Sequence, residues 1–300
     1  NNTFLREEMS RELQGAMGQP HARGRDFHLF LNGQYWGLYN FDERTEASFG
    51  ASYLGGIKSE YDAIKCEQDA GYTTGVNDGN ITAWSDFFEL TKSFRASPTN
   101  EAYFAMQGLA PDGLTPSGTA AYLDVDNLID YMLLTFWSGN LDGCTSAFLG
   151  DNGANNWSAI RRRNGARGFV YFAHDFEHSF FDLNQDRTGP FGSENNDNLA
   201  YSNPMFIHHN LRPNAEYRMR WADRVQQHCF GTGVLTAESL HQRFSARAAL
   251  IDKVIVAESA RWGDAQTGEP LTRREWRSAR DQLLNWYLPN RGRIVIRQLQ

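Results

Sequence analysis

Asp142 and Asp175 are the two carboxylates whose surroundings best suit chemistry. Asp142 lies in a polar loop behind a long apolar segment, Leu128–Trp137. Asn155, Asn156 and Trp157 follow, and an apolar run over 168–173 leads straight into His174-Asp175-Phe176-Glu177. The order is helix, loop with Asp, amide, strand, second Asp. Phosphoryl-transfer sites use that order to set a catalytic Asp, a metal-binding Asn and a metal-binding Asp around a nucleotide. Such transfer needs positioning and charge neutralisation more than covalent help. Asp142 is of the type that accepts or orients a hydroxyl proton. Asp175 and Asn156 offer the oxygen ligands that magnesium prefers.

The elements around these residues can be read from spacing. Residues 3–17 carry Phe4, Leu5, Met9 and Leu13 at helical intervals. Phe27–Leu31 and Tyr35–Tyr39 read as strands joined by Asn32-Gly33, the strongest short hairpin signal because both residues accept positive φ. A short helix is expected to start within Asp42–Phe49 and close near Gly55-Gly56. Tyr61–Lys65 reads as a strand, 69–80 as a Gly-rich loop and 81–94 as a helix. The loop-rich stretch 97–119, with room for a short helix near Tyr103 and Phe104, marks the expected lobe boundary. Asp126 is the expected N-cap of a buried helix over 127–138. Residues 182–204 form a long polar loop, and helices are expected over 214–230, 237–261 and 270–287.

Composition narrows the class. The 300 residues, 41% hydrophobic and 13% aromatic, can bury a large core, and the net charge of −7 argues against a nucleic-acid binder. No apolar run is long enough for a membrane span, which needs roughly 18 residues. No signal peptide is visible, and the opening Asn1-Asn2-Thr3 without Met reads as a piece of a longer protein. Cys66, Cys144 and Cys229 are too few and too scattered for a disulfide framework. Cys144, close to Asp142, reads as a buried or loop residue, with a reactive thiol as the alternative. The cluster Arg161-Arg162-Arg163 reads as a solvated face, with phosphate steering as the alternative.

Several separated segments then resemble the spore-coat CotH kinase family. They are Phe27–Arg44, Phe49–Gly56, Tyr61–Lys65, Asp130–Asp142, Asn156-Trp157, Phe172–Glu177, Asn203-Pro204, Glu216–Arg218 and Glu258–Asp264. The likeness runs in order over nearly the whole chain. It implies a two-lobed α+β atypical protein-kinase-like fold, with a sheet-rich lobe over about 1–97 and a mostly helical lobe over 98–300. It also implies ATP with Mg2+ or Mn2+, transfer to Ser, Thr or Tyr hydroxyls of a protein, and a secreted or envelope setting. Asp142 is then the catalytic Asp, Asp175 the main metal ligand and Asn156 a second. Lys65 is the candidate contact to the phosphates, with Glu43 as its partner. Glu177 would brace Asp175 or hold a metal-bound water. Asn155 is the alternative to Asn156. The sequence departs from the kinase pattern in having no Gly-x-Gly-x-x-Gly before Lys65, in Asn140-Leu141-Asp142 at the catalytic loop, and in His174 before the second Asp.

Other readings compete. His174, Glu177 and His178 spell an inverted zinc-peptidase motif, which requires a helix, with Glu194 or Glu216 as third ligand. Asp175 with Glu177 or Asp142 could form a glycosidase pair, with Trp36, Trp84 and Trp157 lining a sugar site. An inactive domain kept as a surface-binding or adhesion module is the non-enzymatic alternative.

Overall fold

The computed structural model describes residues 3–300; Asn1, Asn2 and the side chains of residues 193 and 194, hence that of Glu194, lie outside the described residues. Among the described residues the architecture is mixed α and β with two small antiparallel sheets. The first is the expected hairpin, β1 (Gly24–Leu31) with β2 (Gln34–Asp42). Its turn places Asn32 at φ 50° and Gly33 at φ 80°, the positive angles that asparagine and glycine tolerate best.

The second sheet has the order β4-β3-β5-β6. It comprises β3 (Tyr61–Glu67), β4 (Thr73–Asp78), β5 (Ser158–Arg162) and β6 (Val170–Phe172). Two of its strands escaped the sequence reading. β4 lies inside the segment read as a Gly-rich loop, and β5 covers Arg161 and Arg162. The sheet is built across residue 97, since β3 pairs directly with β5.

The arginine cluster is structural. Arg161 is buried and its Nε donates to the Ala121 carbonyl at 2.7 Å. Arg162 pairs with Glu60 at 2.7 Å and Arg163 with Asp62 at 2.6 Å. Arg161 turns into the core, while Glu60 in the turn before β3 and Asp62 within β3 supply acids for the other two.

The helices are α1 (Arg6–Ala16), α2 (Ala47–Tyr53), α3 (Thr82–Ala96), α4 (Asn100–Met106), α5 (Val125–Ser138), α6 (Pro204–Leu211), α7 (Ala215–Cys229), α8 (Ala237–Trp262), α9 (Arg273–Gln282) and α10 (Leu288–Gln298). Asp42 closes β2 instead of opening a helix, and α6 lies at the end of the stretch read as a polar loop. A five-residue π segment, Leu283–Tyr287, joins α9 to α10 just before Pro289. None of the helices is long and apolar enough to cross a membrane, among the described residues.

The buried helix is α5. Every residue from Asn127 to Ser138 is buried, and the apolar side chains among them belong to one core cluster that runs from Leu5 to Val295. Its N-cap is Asp124, two positions before the expected Asp126, and accepts the Asn127 N–H at 3.0 Å. Asp126 instead pairs with Arg220 at the surface. Gly139 ends the helix in the left-handed region, at φ 64°.

Arg291 of α10 completes that end. Fully buried, it donates to the Trp137 and Phe136 carbonyls at 2.9 and 2.7 Å, and to those of Leu183 and Gln185 at 2.7 and 2.8 Å. Arg291→Met removes the guanidinium from four carbonyls, two of them buried at the end of α5 and two half-buried. The expected loss is about 3 kcal/mol or more, read from the urea midpoint, with Arg291→Lys recovering only part because one ammonium cannot span the four acceptors.

Asp130 is the buried carboxylate of α5. It accepts from Gln19 at 2.6 Å and from Arg224 Nε at 2.8 Å, and lies 3.2 Å from His228 Nε2. Burial opposes its charge, yet the hydrogen bonds from His228 and Arg224 hold its carboxyl below the usual range. A carboxyl depressed in the folded state stabilises above its unfolded pKa of about 3.9, and that contribution fades as pH falls through the folded value. Asp130→Asn should therefore lower stability at neutral pH and flatten its fall below about pH 4, as measured by denaturation across pH.

Candidate active site

Strand register gathers the predicted residues. Lys65, near the end of β3, pairs with Ser158 at the start of β5, and Ser158 pairs with Phe172 at the end of β6. Asn156 lies two residues before β5 and Asp175 three residues after β6. All three therefore lie at one end of the sheet. They line a cleft of about 530 Å³ whose far wall is the root of the hairpin, Asp42, Glu43 and Arg44.

Asp142 stands behind Asn156. Its carboxylate accepts from Ser146 Oγ on one oxygen, and from Asn155 Nδ2 at 3.0 Å and Asn156 Nδ2 at 3.2 Å on the other. Its own N–H donates to Asn140 Oδ1 at 3.0 Å. Leu141 N–H donates to the His178 carbonyl at 3.0 Å, and Phe180 N–H to Ser138 at 2.7 Å. These two bonds tie the Asp142 loop to the segment that follows Asp175. Asn140, Asn155 and Asn156 thus all hold Asp142, and the two asparagines read as alternatives act together.

Gln68 was not foreseen. Its Nε2 donates to Asn155 Oδ1 at 3.0 Å and to Asn156 Oδ1 at 3.3 Å, orienting both amides toward Asp142. Nothing in the spacing signals it, since it sits in the turn after β3.

Asp175 adopts the left-handed region, φ 56° and ψ 48°. The Glu7 carboxylate of α1 accepts both the Asp175 N–H, at 3.0 Å, and the Phe176 N–H. Burial raises the Glu7 carboxyl above its ordinary value, against the pull of Arg11 and the two amides. Arg11 pairs with Glu7 and with Asp42, linking α1 to the hairpin.

Two expected partnerships are not formed. Glu43 accepts from Tyr53 and lies 3.5 Å from Arg23, while Lys65 pairs with Glu67 at 3.7 Å. Glu177 does not brace Asp175; it faces solvent beside His178, at 3.5 Å, and Glu7 takes the bracing position.

The zinc motif lacks its helix, and the tryptophans expected to line a sugar site pack elsewhere. Asp175 interrupts any helix through 174–178, and Phe176–His178 is a single 3-10 turn. His178 packs against Phe148 with ring centroids 4.9 Å apart, whereas His174 lines the cleft. Among the described residues no three His, Cys, Asp or Glu side chains converge as a metal set. Glu216 lies in the first turn of α7, beside Asn100. Trp84 and Trp157 are core residues packed on each other at 5.2 Å, and Trp36 packs edge-on against Trp262. Burial pushes the Cys144 thiol up to about 12, away from thiolate chemistry.

The sequence profile described as "CotH kinase protein" matches residues 1–295. The chain belongs to the CotH kinase family. No curated protein matches it. The family match spans both sheets, the cleft and α5, so the resemblance carried by separated motifs holds for the chain as a whole. In this CotH-family chain the Asp142 loop is held by an amide network anchored on Gln68. Gln68→Ala should cost about 1 kcal/mol and release both asparagine side chains. Broadened or shifted side-chain amide resonances of Asn155 and Asn156 would register the release, and unchanged resonances would refute the anchoring.

Proposed function

We propose that the chain is an ATP- and divalent-metal-dependent phosphotransferase acting on protein hydroxyls, in a secreted or envelope setting. One observation carries the reading: Lys65, Asn156 and Asp175 line a single cleft, with Asp142 hydrogen-bonded to Asn156. Family membership supports a kinase-like activity.

The charges of the cleft favour a metal–nucleotide complex over a free nucleotide. Its lining includes the carboxylates of Asp42, Glu43, Glu46, Glu67, Asp69 and Asp175, against the cations of Arg11, Arg44 and Lys65. A bare polyphosphate would meet an acidic excess there, and divalent cations remove that repulsion. Asp175 and Asn156 would hold the metal through oxygen, which fits the donors present. Bound metal would supply charge neutralisation at the phosphates. Lys65 adds a compact positive charge to the same wall. Asp142, held by Ser146, Asn155 and Asn156, would orient the incoming hydroxyl and take its proton.

A binding module that keeps the fold is the second reading. It is favoured by the outer face of the hairpin, where Phe27, Tyr39 and Phe41 are exposed.

Transfer of γ-phosphate from labelled ATP, with magnesium or manganese, tests the proposal on a Ser/Thr-rich acceptor and on the protein itself. Asp142→Ala and Asp175→Ala should each lower transfer at least about 100-fold. Asp142→Ala should still bind manganese–ATP, and Asp175→Ala should not. Metal-independent transfer, or transfer indifferent to both substitutions, counts against the reading. Folded protein that neither transfers phosphate nor binds metal–ATP favours the binding module.

A further inference from the structure

We propose that Glu7 is the positioning residue that fixes Asp175 in the geometry its metal-binding role requires; this rests on the reading of Asp175 given above. Three observations support it. Asp175 is a non-glycine residue in the left-handed region, which side chains other than glycine seldom adopt. Glu7 accepts the two successive N–H groups of the turn, Asp175 and Phe176, one on each carboxylate oxygen. Successive amides turned to one side form an anion-binding concavity, and here the anion is supplied by the chain. Arg11, one helical turn along, pairs with Oε1 of Glu7, the oxygen that accepts the Asp175 N–H, and reaches Asp42 on the cleft wall.

The role is separable from folding. Gln14, on the same helix, donates to the Tyr171 carbonyl at 2.8 Å and accepts the Ala173 N–H at 2.9 Å. Asn127 of α5 accepts the Tyr171 N–H at 2.6 Å. The edge of β6 therefore keeps its partners without Glu7; loss of Glu7 frees the turn that carries Asp175 and leaves Arg11 with Asp42. Sequence spacing gives Glu7 and Arg11 the look of an ordinary i,i+4 surface pair, and the tertiary contact gives them a different use.

The test compares Glu7→Ala, Glu7→Gln, Gln14→Ala and Asp175→Ala in the full 300-residue chain. Amide hydrogen exchange reports the turn, titration calorimetry the affinity for manganese–ATP, and thermal unfolding the fold. Glu7→Ala should lose protection at Asp175 and Phe176. It should bind manganese–ATP roughly 10- to 100-fold more weakly, the usual effect of removing a group that orients a metal ligand. Glu7→Gln should recover part of the affinity, since its amide oxygen can accept one of the two bonds. Gln14→Ala should lower the melting temperature while leaving the affinity near wild type. Wild-type affinity in Glu7→Ala overturns the proposal, as does an equal loss of affinity in Gln14→Ala. If Asp175→Ala binds as tightly as wild type, the reading of Asp175 as a metal ligand fails and the role of Glu7 falls with it. If Asp175→Ala loses binding and Glu7→Ala does not, only the present proposal fails.

Discussion

The outer edge of β6 lies inside the protein, where each backbone N–H and C=O must find a partner without help from water. Side chains supply those partners. Gln14 and Glu7 of α1 and Asn127 of α5 take the bonds that a further strand would have made, from Tyr171 through Phe176. Much of the architecture follows from this requirement. It docks α1 on the sheet, brings α5 beneath it, and turns the chain sharply at Asp175. A polar side chain in each of those places is worth more than an apolar one, because an unpaired buried amide costs about 1–3 kcal/mol.

The same logic holds the opposite end of α5. The helix is buried on all sides, so water cannot satisfy its last carbonyls. Arg291 does so, and the same guanidinium grips the chain at Leu183 and Gln185. The loop bearing Asp142 leaves from this point through Gly139 and Asn140. Its position is thus set by α10, the helix farthest from it in sequence. Asp130, Arg224 and Gln19 make an equivalent polar tie at the middle of the helix. Rigid support behind a loop of this kind is what positioned catalysis requires.

At the cleft, support and chemistry meet through amides. Asp142 is bonded by Asn155 and Asn156, and those are bonded by Gln68 in the turn after β3. The hairpin approaches from another direction and is fastened to α8, where Glu258 accepts the Leu38 N–H at 2.6 Å. Its root carries much of the acidic charge of the cleft wall. Two sequence-distant parts of the chain therefore fix, separately, the acidic wall of the cleft and the loop that bears Asp142.

The residue pattern by itself determined the apolar helix before Asp142, the Asn32-Gly33 hairpin, the strand leading to Asp175 and the family to which the chain belongs. These are local signals: helical spacing of buried side chains, a turn dipeptide that accepts positive φ, a short apolar run, and motifs in a fixed order. It also singled out Asn156, Asp175 and Lys65, which the fold brings to one end of a sheet, and Asp142, which is bonded to Asn156. Only the tertiary structure decided their partners. β5 is too short and too rich in arginine to announce itself, and its identity rests on pairing with β3. Lys65 meets Glu67 and not Glu43, and Glu177 yields the bracing of Asp175 to Glu7. Hydrogen-bond partners across such sequence distances depend on how whole elements pack, and no local spacing encodes that packing.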